Sequence, residues 1–179
     1  MSKDTKHLDA KGLVKYFKDK FKTKILKAEV KIKPAGAKKQ DMTQIWMKID
    51  KSIFKEFIEC LCNYQFPHLA VVSGNDFPKD IELVYEFSLD FGKDRKEISL
   101  NVAVDVPKSK PEIETVCDWI PGALITEREK QEMLGVKIIG IPDSRRLFLP
   151  EDFPEGVYPW RKNEKGMEKL IRNLHEVDK

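Results

Sequence analysis

The sequence predicts an α+β fold: a mixed β-sheet with helices packed on one face, followed by an extended proline-rich C-terminal tail. Three observations carry that reading. Apolar residues recur at helical spacing in two early segments, five neighbouring runs alternate with period two, and the elements come grouped as αββαβββ rather than in strict alternation. Four prolines between 140 and 162, Pro142, Pro150, Pro154 and Pro159, interrupt any regular structure there. A chain of 179 residues, 41% of them hydrophobic, can bury roughly 70% of its unfolded surface around one core.

From Asp9, the stretch DAKGLVKYFKDKFK sets Leu13, Phe17 and Phe21 four apart with lysines between them, which makes one apolar stripe of an amphipathic helix. The period then changes. Ile25, Ala28, Val30 and Ile32 read mostly as alternation, so a strand starts near 25 and ends at Pro34, Ala35 and Gly36. Gln44 to Ile49 alternates again and completes a hairpin. Asp50 or Ser52 caps a second helix, because Ile53, Phe54, Phe57, Ile58 and Leu61 return to helical spacing. HLAVVSG, IELVYEFSLDFG and KEISLNVAVDVP are three further strands, with the turn of a hairpin at 91–96. Pro111 then suits the first turn of a short helix over 111–119, Pro121 and Gly122 interrupt it, and a last helix runs from about Ala123 to Leu134, stopping at Gly135. Beyond Ile139 the periodicity fades. Leu147, Phe148, Leu149, Phe153, Tyr158 and Trp160 lie among the prolines, and an extended apolar tail needs a surface to lie on, that of another chain being one candidate.

The net charge of +3 conceals a split: residues 1–40 hold 13 lysines against four acids, +9, so the remainder carries −6. All six arginines lie in that remainder, four of them between 128 and 161. Lysine is a compact hydrated charge, whereas arginine offers a planar fork suited to buried pairing. The lysines fall on the polar side of the first helix, where they read as a solvated face or as attachment to an anionic membrane or acidic neighbour. Their aromatic neighbours follow the apolar stripe and form no stacking platform, so nucleic acid is not expected as a partner.

No apolar run approaches the ~20 residues of a membrane span and no signal sequence stands at the start, which points to the cytoplasm. Cys60, Cys62 and Cys117 are too few for a secreted disulfide framework. Cys60 and Cys62, two apart on a helix, diverge by roughly 200° and cannot share one ion. They and Cys117 read as small buried hydrophobes, and His7, His68 and His175 are isolated, so no metal site is expected. No phosphate loop and no nucleophile elbow occurs. Abundant Lys and Glu with few Asn and Gln suit a thermophile.

What remains is residues 124–162. Glu127, Arg128, Glu129 and Glu132, then Pro142, Asp143, Arg145 and Arg146, set fork donors and carboxylates among Met133, Leu134, Ile138, Ile139 and Leu147. Such surroundings imply bidentate, partly buried pairing. The residues alone leave an internal network and an intermolecular interface equally open.

Glu127-Arg128-Glu129, Glu132-Met133-Leu134-Gly135, Gly140-Ile141-Pro142-Asp143-Ser144-Arg145-Arg146, Pro150-Glu151-Asp152 and Pro159-Trp160-Arg161-Lys162 together resemble the signature of the 30 kDa subunit of respiratory complex I. That family has relatives in the energy-converting membrane-bound [NiFe] hydrogenases. The resemblance implies a cofactor-free structural subunit in the cytoplasmic arm of an electron-transport, ion-translocating oxidoreductase. It would be inactive on its own and peripheral on the inner face of the membrane. Its implied partner is the hydrogenase-like large subunit, with the [NiFe] and iron-sulfur centres in partner subunits. The signature residues Glu127, Arg128, Glu129, Glu132, Pro142, Asp143, Arg145 and Arg146, with Arg161 and Lys162 in the tail, take the subunit interface. Residues 1–139 would form the α+β domain typical of the 30 kDa subunit, including the signature helix, and 140–179 the interface tail and C-terminal segment.

Two departures from the family pattern stand out: Ile141 where many members have His, and Leu124-Ile125-Thr126 where an aromatic usually precedes the E-R-E triplet. With the short length and no fused large-subunit domain, they resemble an archaeal ferredoxin-linked hydrogenase subunit more than the equivalent subunit of an NADH/F420H2:quinone-type dehydrogenase. A stand-alone basic module binding nucleic acid or an anionic membrane is the reading from another class.

Overall fold

The computed structural model describes residues 8–35, 40–93 and 97–162. Helix α1 spans Ala10–Phe21, and its capping residue Asp9 accepts a hydrogen bond from the Gly12 amide at 2.8 Å. Its buried stripe is Ala10, Leu13, Phe17 and Phe21. Strands β1 (Ile25–Ala35) and β2 (Gln40–Ile49) form the expected antiparallel hairpin. The second strand begins four residues before the alternation in the sequence, at positions where the exposed Met42 leaves no pattern to read. Asp50 caps a short 3₁₀ turn by accepting from the Ser52 amide at 2.9 Å and hydroxyl at 2.6 Å, and α2 follows over Phe54–Tyr64.

Strands β3 (His68–Asp76), β4 (Asp80–Leu89) and β5 (Ile98–Pro107) run as an antiparallel meander. The hairpin and the meander join where β2 and β5 pair in parallel, giving a five-stranded sheet ordered β1-β2-β5-β4-β3. The α2 crossover makes that parallel pairing possible. Along the seam Ile45 faces Leu100, Met47 faces Val102 and Ile49 faces Val104. The buried Asn101 amide donates to the Ile45 carbonyl at 3.3 Å across it.

Alternation along each strand separates two faces. On one, Ile81, Leu83, Tyr85, Phe87 and Leu89 of β4 and Leu100, Val102 and Val104 of β5 are almost wholly buried. Helices pack against this face: the Phe17 ring of α1 meets Phe57 of α2 at 4.7 Å, tilted by 33°, and Tyr85 meets Phe54 of α2 at 4.8 Å and Glu127 of the 124–134 segment. The other face is polar. Lys48 there bridges Glu82 at 3.1 Å and Asp105 at 2.8 Å.

The helix expected over 111–119 is absent. Glu112–Glu114 is instead a short strand, β6, paired in parallel with β7 (Lys137–Ile139), and turns follow over 116–119. Ile113 is buried between two glutamates and opposite Ile138, a strand alternation that the proline at 111 disguises as a helix start. A 3₁₀ turn, Pro121–Ala123, leads into α3 (Leu124–Leu134), which ends at Gly135 with φ 67°. That left-handed geometry favours glycine. Residues 140–162 contain no helix or strand.

Candidate functional site

The signature residues gather around α3 and the irregular loop at 140–162, and the structure sorts them into distinct environments. Glu127 lies inside, fully buried. One carboxylate oxygen accepts from the Val116 amide at 3.0 Å and the Tyr85 hydroxyl at 3.3 Å, the other from the Thr115 hydroxyl at 2.5 Å and the Cys117 thiol at 3.4 Å. Burial pushes its pKa upward, and these four donors offset that only in part. Burial also pushes the Cys117 thiol up, to about 11, so it stays protonated and unreactive at neutral pH. Glu127 therefore ties α3 to the 115–117 turn and presents nothing outward.

Next to it in sequence, Arg128 donates to the carbonyls of Arg145 at 2.9 Å and Arg146 at 2.8 Å, and its guanidinium lies 3.4 Å from Asp143. Glu132 accepts from three successive amides, those of Leu147, Phe148 and Leu149, at 3.2, 2.9 and 2.7 Å. Between them Gln131 donates to the Ser144 carbonyl at 3.2 Å. Asp143 accepts from the Arg145 amide at 3.0 Å and from its guanidinium at 3.0 and 2.7 Å. The bond from the Arg145 side chain is the main reason the Asp143 carboxyl is held far below the usual carboxylate range. Arg146 folds forward onto the Pro150 carbonyl at 2.6 Å, and Pro142 is exposed.

The far end of the loop closes on the end of the helix. Trp160 donates its amide to the Met133 carbonyl at 3.0 Å, and Arg161 donates to the carbonyls of Leu134 at 2.8 Å and Gly135 at 3.4 Å. A cation there also complements the helix dipole. The Tyr158 ring rests on Gly135, where an added Cβ would lie 2.4 Å from it, and the Arg161 guanidinium sits 4.4 Å over that ring. Lys130, buried, lies 4.5 Å from the centre of the Trp160 ring and is ion-paired with Glu129. The Lys162 amide donates to Asp76 at 3.1 Å, while Lys108 pairs with the other Asp76 oxygen at 2.5 Å. Burial alone would raise the Asp76 carboxyl, but these two donors outweigh it and hold its pKa low.

Sequence reading thus finds the two ends of this lattice and misses Gln131, Tyr158, Asp76 and Lys108. Only Gly135, legible as a helix stop, hints that something packs close. Among the described residues no group of three or more His, Cys, Asp or Glu is placed to hold a metal ion. Cys60 is buried 3.5 Å from the Tyr16 hydroxyl, and His68 stacks on Phe91 at 4.2 Å. His7 and His175 lie outside the described residues. No helix among the described residues is long and apolar enough to cross a membrane. On α1, Lys11, Lys15 and Lys18 are exposed while Phe17 and Phe21 are buried.

Comparison with known proteins follows the same region. The family described as "Respiratory-chain NADH dehydrogenase, 30 Kd subunit" matches residues 47–169, from β2 through the loop. The membrane-bound hydrogenase subunit beta of Pyrococcus furiosus is 33% identical over 157 residues, 87% of this chain and 88% of that protein. A subunit of the F(420)H(2) dehydrogenase of Methanosarcina mazei is 31% identical over 172 residues, 93% of this chain and 99% of that one. A chain in the solved structure of the membrane-bound sulfane sulfur reductase, an archaeal respiratory membrane complex, shares the fold, with a TM-score of 0.70 and 21% identity over 94% of this chain and 95% of that one. These relatives match nearly end to end and the family covers most of the sheet, α3 and the signature loop: the chain belongs to the 30 kDa subunit family of the respiratory-chain NADH dehydrogenase.

Proposed function

We propose that this chain is a cofactor-free structural subunit of a membrane-bound, complex I-related oxidoreductase, and that its α3 and loop face docks on the hydrogenase-like large subunit. Relatives named as subunits of a membrane-bound hydrogenase and of an F420H2 dehydrogenase support the setting. The observation that carries the structural role is how the signature spends its chemistry. Arg128, Glu132, Arg146 and Arg161 are directed at main-chain groups of this same chain, and Glu127 and Cys117 are sealed in the interior. Such a set builds a shape and leaves no acid–base pair facing a substrate.

In this reading the [NiFe] and iron-sulfur centres belong to partner subunits. The chain sits on the cytoplasmic side, reaching the membrane only through the complex. The test is to tag the chain in its own host, solubilise the membranes and purify the assembly. The hydrogenase-like large subunit, with nickel, is expected to copurify, and the isolated chain is expected to be colourless. A chain recovered alone from the soluble fraction, with no redox subunit attached, defeats the reading.

A further inference from the structure

We propose that Glu132, supported by Arg128, is a positioning residue that folds the 143–161 loop onto α3 in the free subunit, so that a partner meets a finished surface instead of ordering a tail. The inference rests on the docking reading above and adds a division of labour within the signature. A carboxylate held by three consecutive amides is an anion in a nest of N–H groups, and bonds to an ionised acceptor are stronger than neutral ones. Arg128, four residues earlier and so on the same side of the helix, takes the carbonyls immediately before those amides. Helix α3 therefore grips both polarities of one stretch of main chain, residues 145–149.

Gln131 secures Ser144 just upstream, and Arg161 with the Trp160 amide closes the downstream end on the last turn of α3. Each of these bonds ends within this chain. They give the irregular backbone the partners that strands and helices otherwise supply, and none of them requires a second protein. Among the exposed side chains of the held loop are two large aromatics, Phe148 at 61% and Trp160 at 45%, and Arg145, its side chain 84% exposed and oriented by Asp143; Arg146, Glu151, Asp152 and Glu155 are exposed beside them. Aromatic rings beside a guanidinium are the composition of interface anchors. The complementary surface on the large subunit is then an apolar socket with a carboxylate placed to meet Arg145. Glu132, Arg128 and Arg161 thus position, while Phe148, Trp160 and Arg145 make contact.

Hydrogen exchange read by mass spectrometry tests this on the full chain, alone and bound to the coexpressed large subunit, with binding measured in parallel. In the free chain the amides of 147–149 and 160 are expected to be protected nearly as well as in the complex. Glu132→Gln is expected to speed exchange at 147–149 roughly ten- to hundredfold, to leave β4 and β5 unchanged and to weaken binding. Phe148→Ala is expected to leave exchange as it was and weaken binding about tenfold. Protection at 147–149 that appears only in the complex overturns the proposal, as does a Glu132→Gln chain that exchanges like the parent. A protected loop with binding unaltered by Phe148→Ala and Arg145→Ala removes the contact assignment while docking stands. A parent chain that does not bind the large subunit defeats the docking reading itself, and the free-chain exchange then decides the role of Glu132.

Discussion

The five-stranded sheet and the loop at 140–162 meet the same requirement, a partner for every buried main-chain donor and acceptor, by opposite means. In the sheet, main chain pairs with main chain, and the side chains are left to be apolar: Leu83, Tyr85, Leu100 and Val102 carry no charge and are fully buried. In the loop, side chains stand in for the missing strand. Glu132 accepts from three amides, and Arg128, Arg146 and Arg161 donate to carbonyls. Dense charge on α3 is therefore structural in its own right. A charged residue that binds main chain holds a shape that no hydrophobic pattern can specify.

The contrast is broken most severely from the sheet side. Phe57→Ala removes a fully buried ring in tilted contact with Phe17 at 4.7 Å and Phe21 at 5.6 Å, and is expected to cost about 3–5 kcal/mol. Urea denaturation followed by circular dichroism is expected to show one cooperative transition at lower midpoint, whereas Glu132→Gln shifts that midpoint little. Next comes the joint between the regions. Gly135→Ala forces a side chain into a left-handed position against the Tyr158 ring and is expected to cost about 1–3 kcal/mol. If the ring is half of the problem, adding Tyr158→Ala recovers part of the loss in a double-mutant cycle. Strictly additive costs would show that the two residues are uncoupled.

A smaller effect is set by pH. Because burial raises the Glu127 carboxyl, the folded chain binds its proton more tightly than the unfolded chain does. The stability it contributes is complete below the ordinary carboxylate value, about 4.3, and is lost as pH rises through the raised one. Glu127→Gln is expected to flatten the fall in unfolding free energy that sets in as pH rises above the ordinary carboxylate value, and an unchanged slope would show that another group titrates there. Asp50 has the reverse sign. Its carboxyl, held down to about 2 first by the Ser52 hydroxyl, stabilises above the ordinary value and loses that effect as pH falls toward 2. Asp50→Ala is expected to cost about 1 kcal/mol or less without touching the loop.

Much of the sheet is legible in the sequence because its residues advertise their neighbours by period. Leu13, Phe17 and Phe21 mark a helix face, and the alternation in KEISLNVAVDVP marks a buried strand. The 111–119 segment misleads because three residues of strand carry too short a period to outweigh a proline that also opens helices. The loop is legible as chemistry but not as geometry. Its arginines and glutamates stand out, yet their partners are carbonyls and amides, which nearly every residue possesses and no sequence displays. For the same reason Glu127 and Glu132, five residues apart and alike in letter, cannot be told apart until the fold places one among hydroxyls and a thiol in the core and the other against the loop.

The parallel seam between β2 and β5 bears on how the chain reaches this state. It joins groups 56 residues apart, Ile45 and Asn101, whereas β1–β2 and β3–β4–β5 are each linked by short connections. Loop closure slows such long-range contacts, so the hairpin and the meander are expected to assemble first and the seam to close after them. Contacts made that late govern the rate of coming apart more than the rate of coming together. Asn101→Ala is expected to raise the unfolding arm of a denaturant chevron and leave the refolding arm nearly in place. The buried amide at the seam is thereby expected to lengthen the lifetime of the folded domain rather than to hasten its formation.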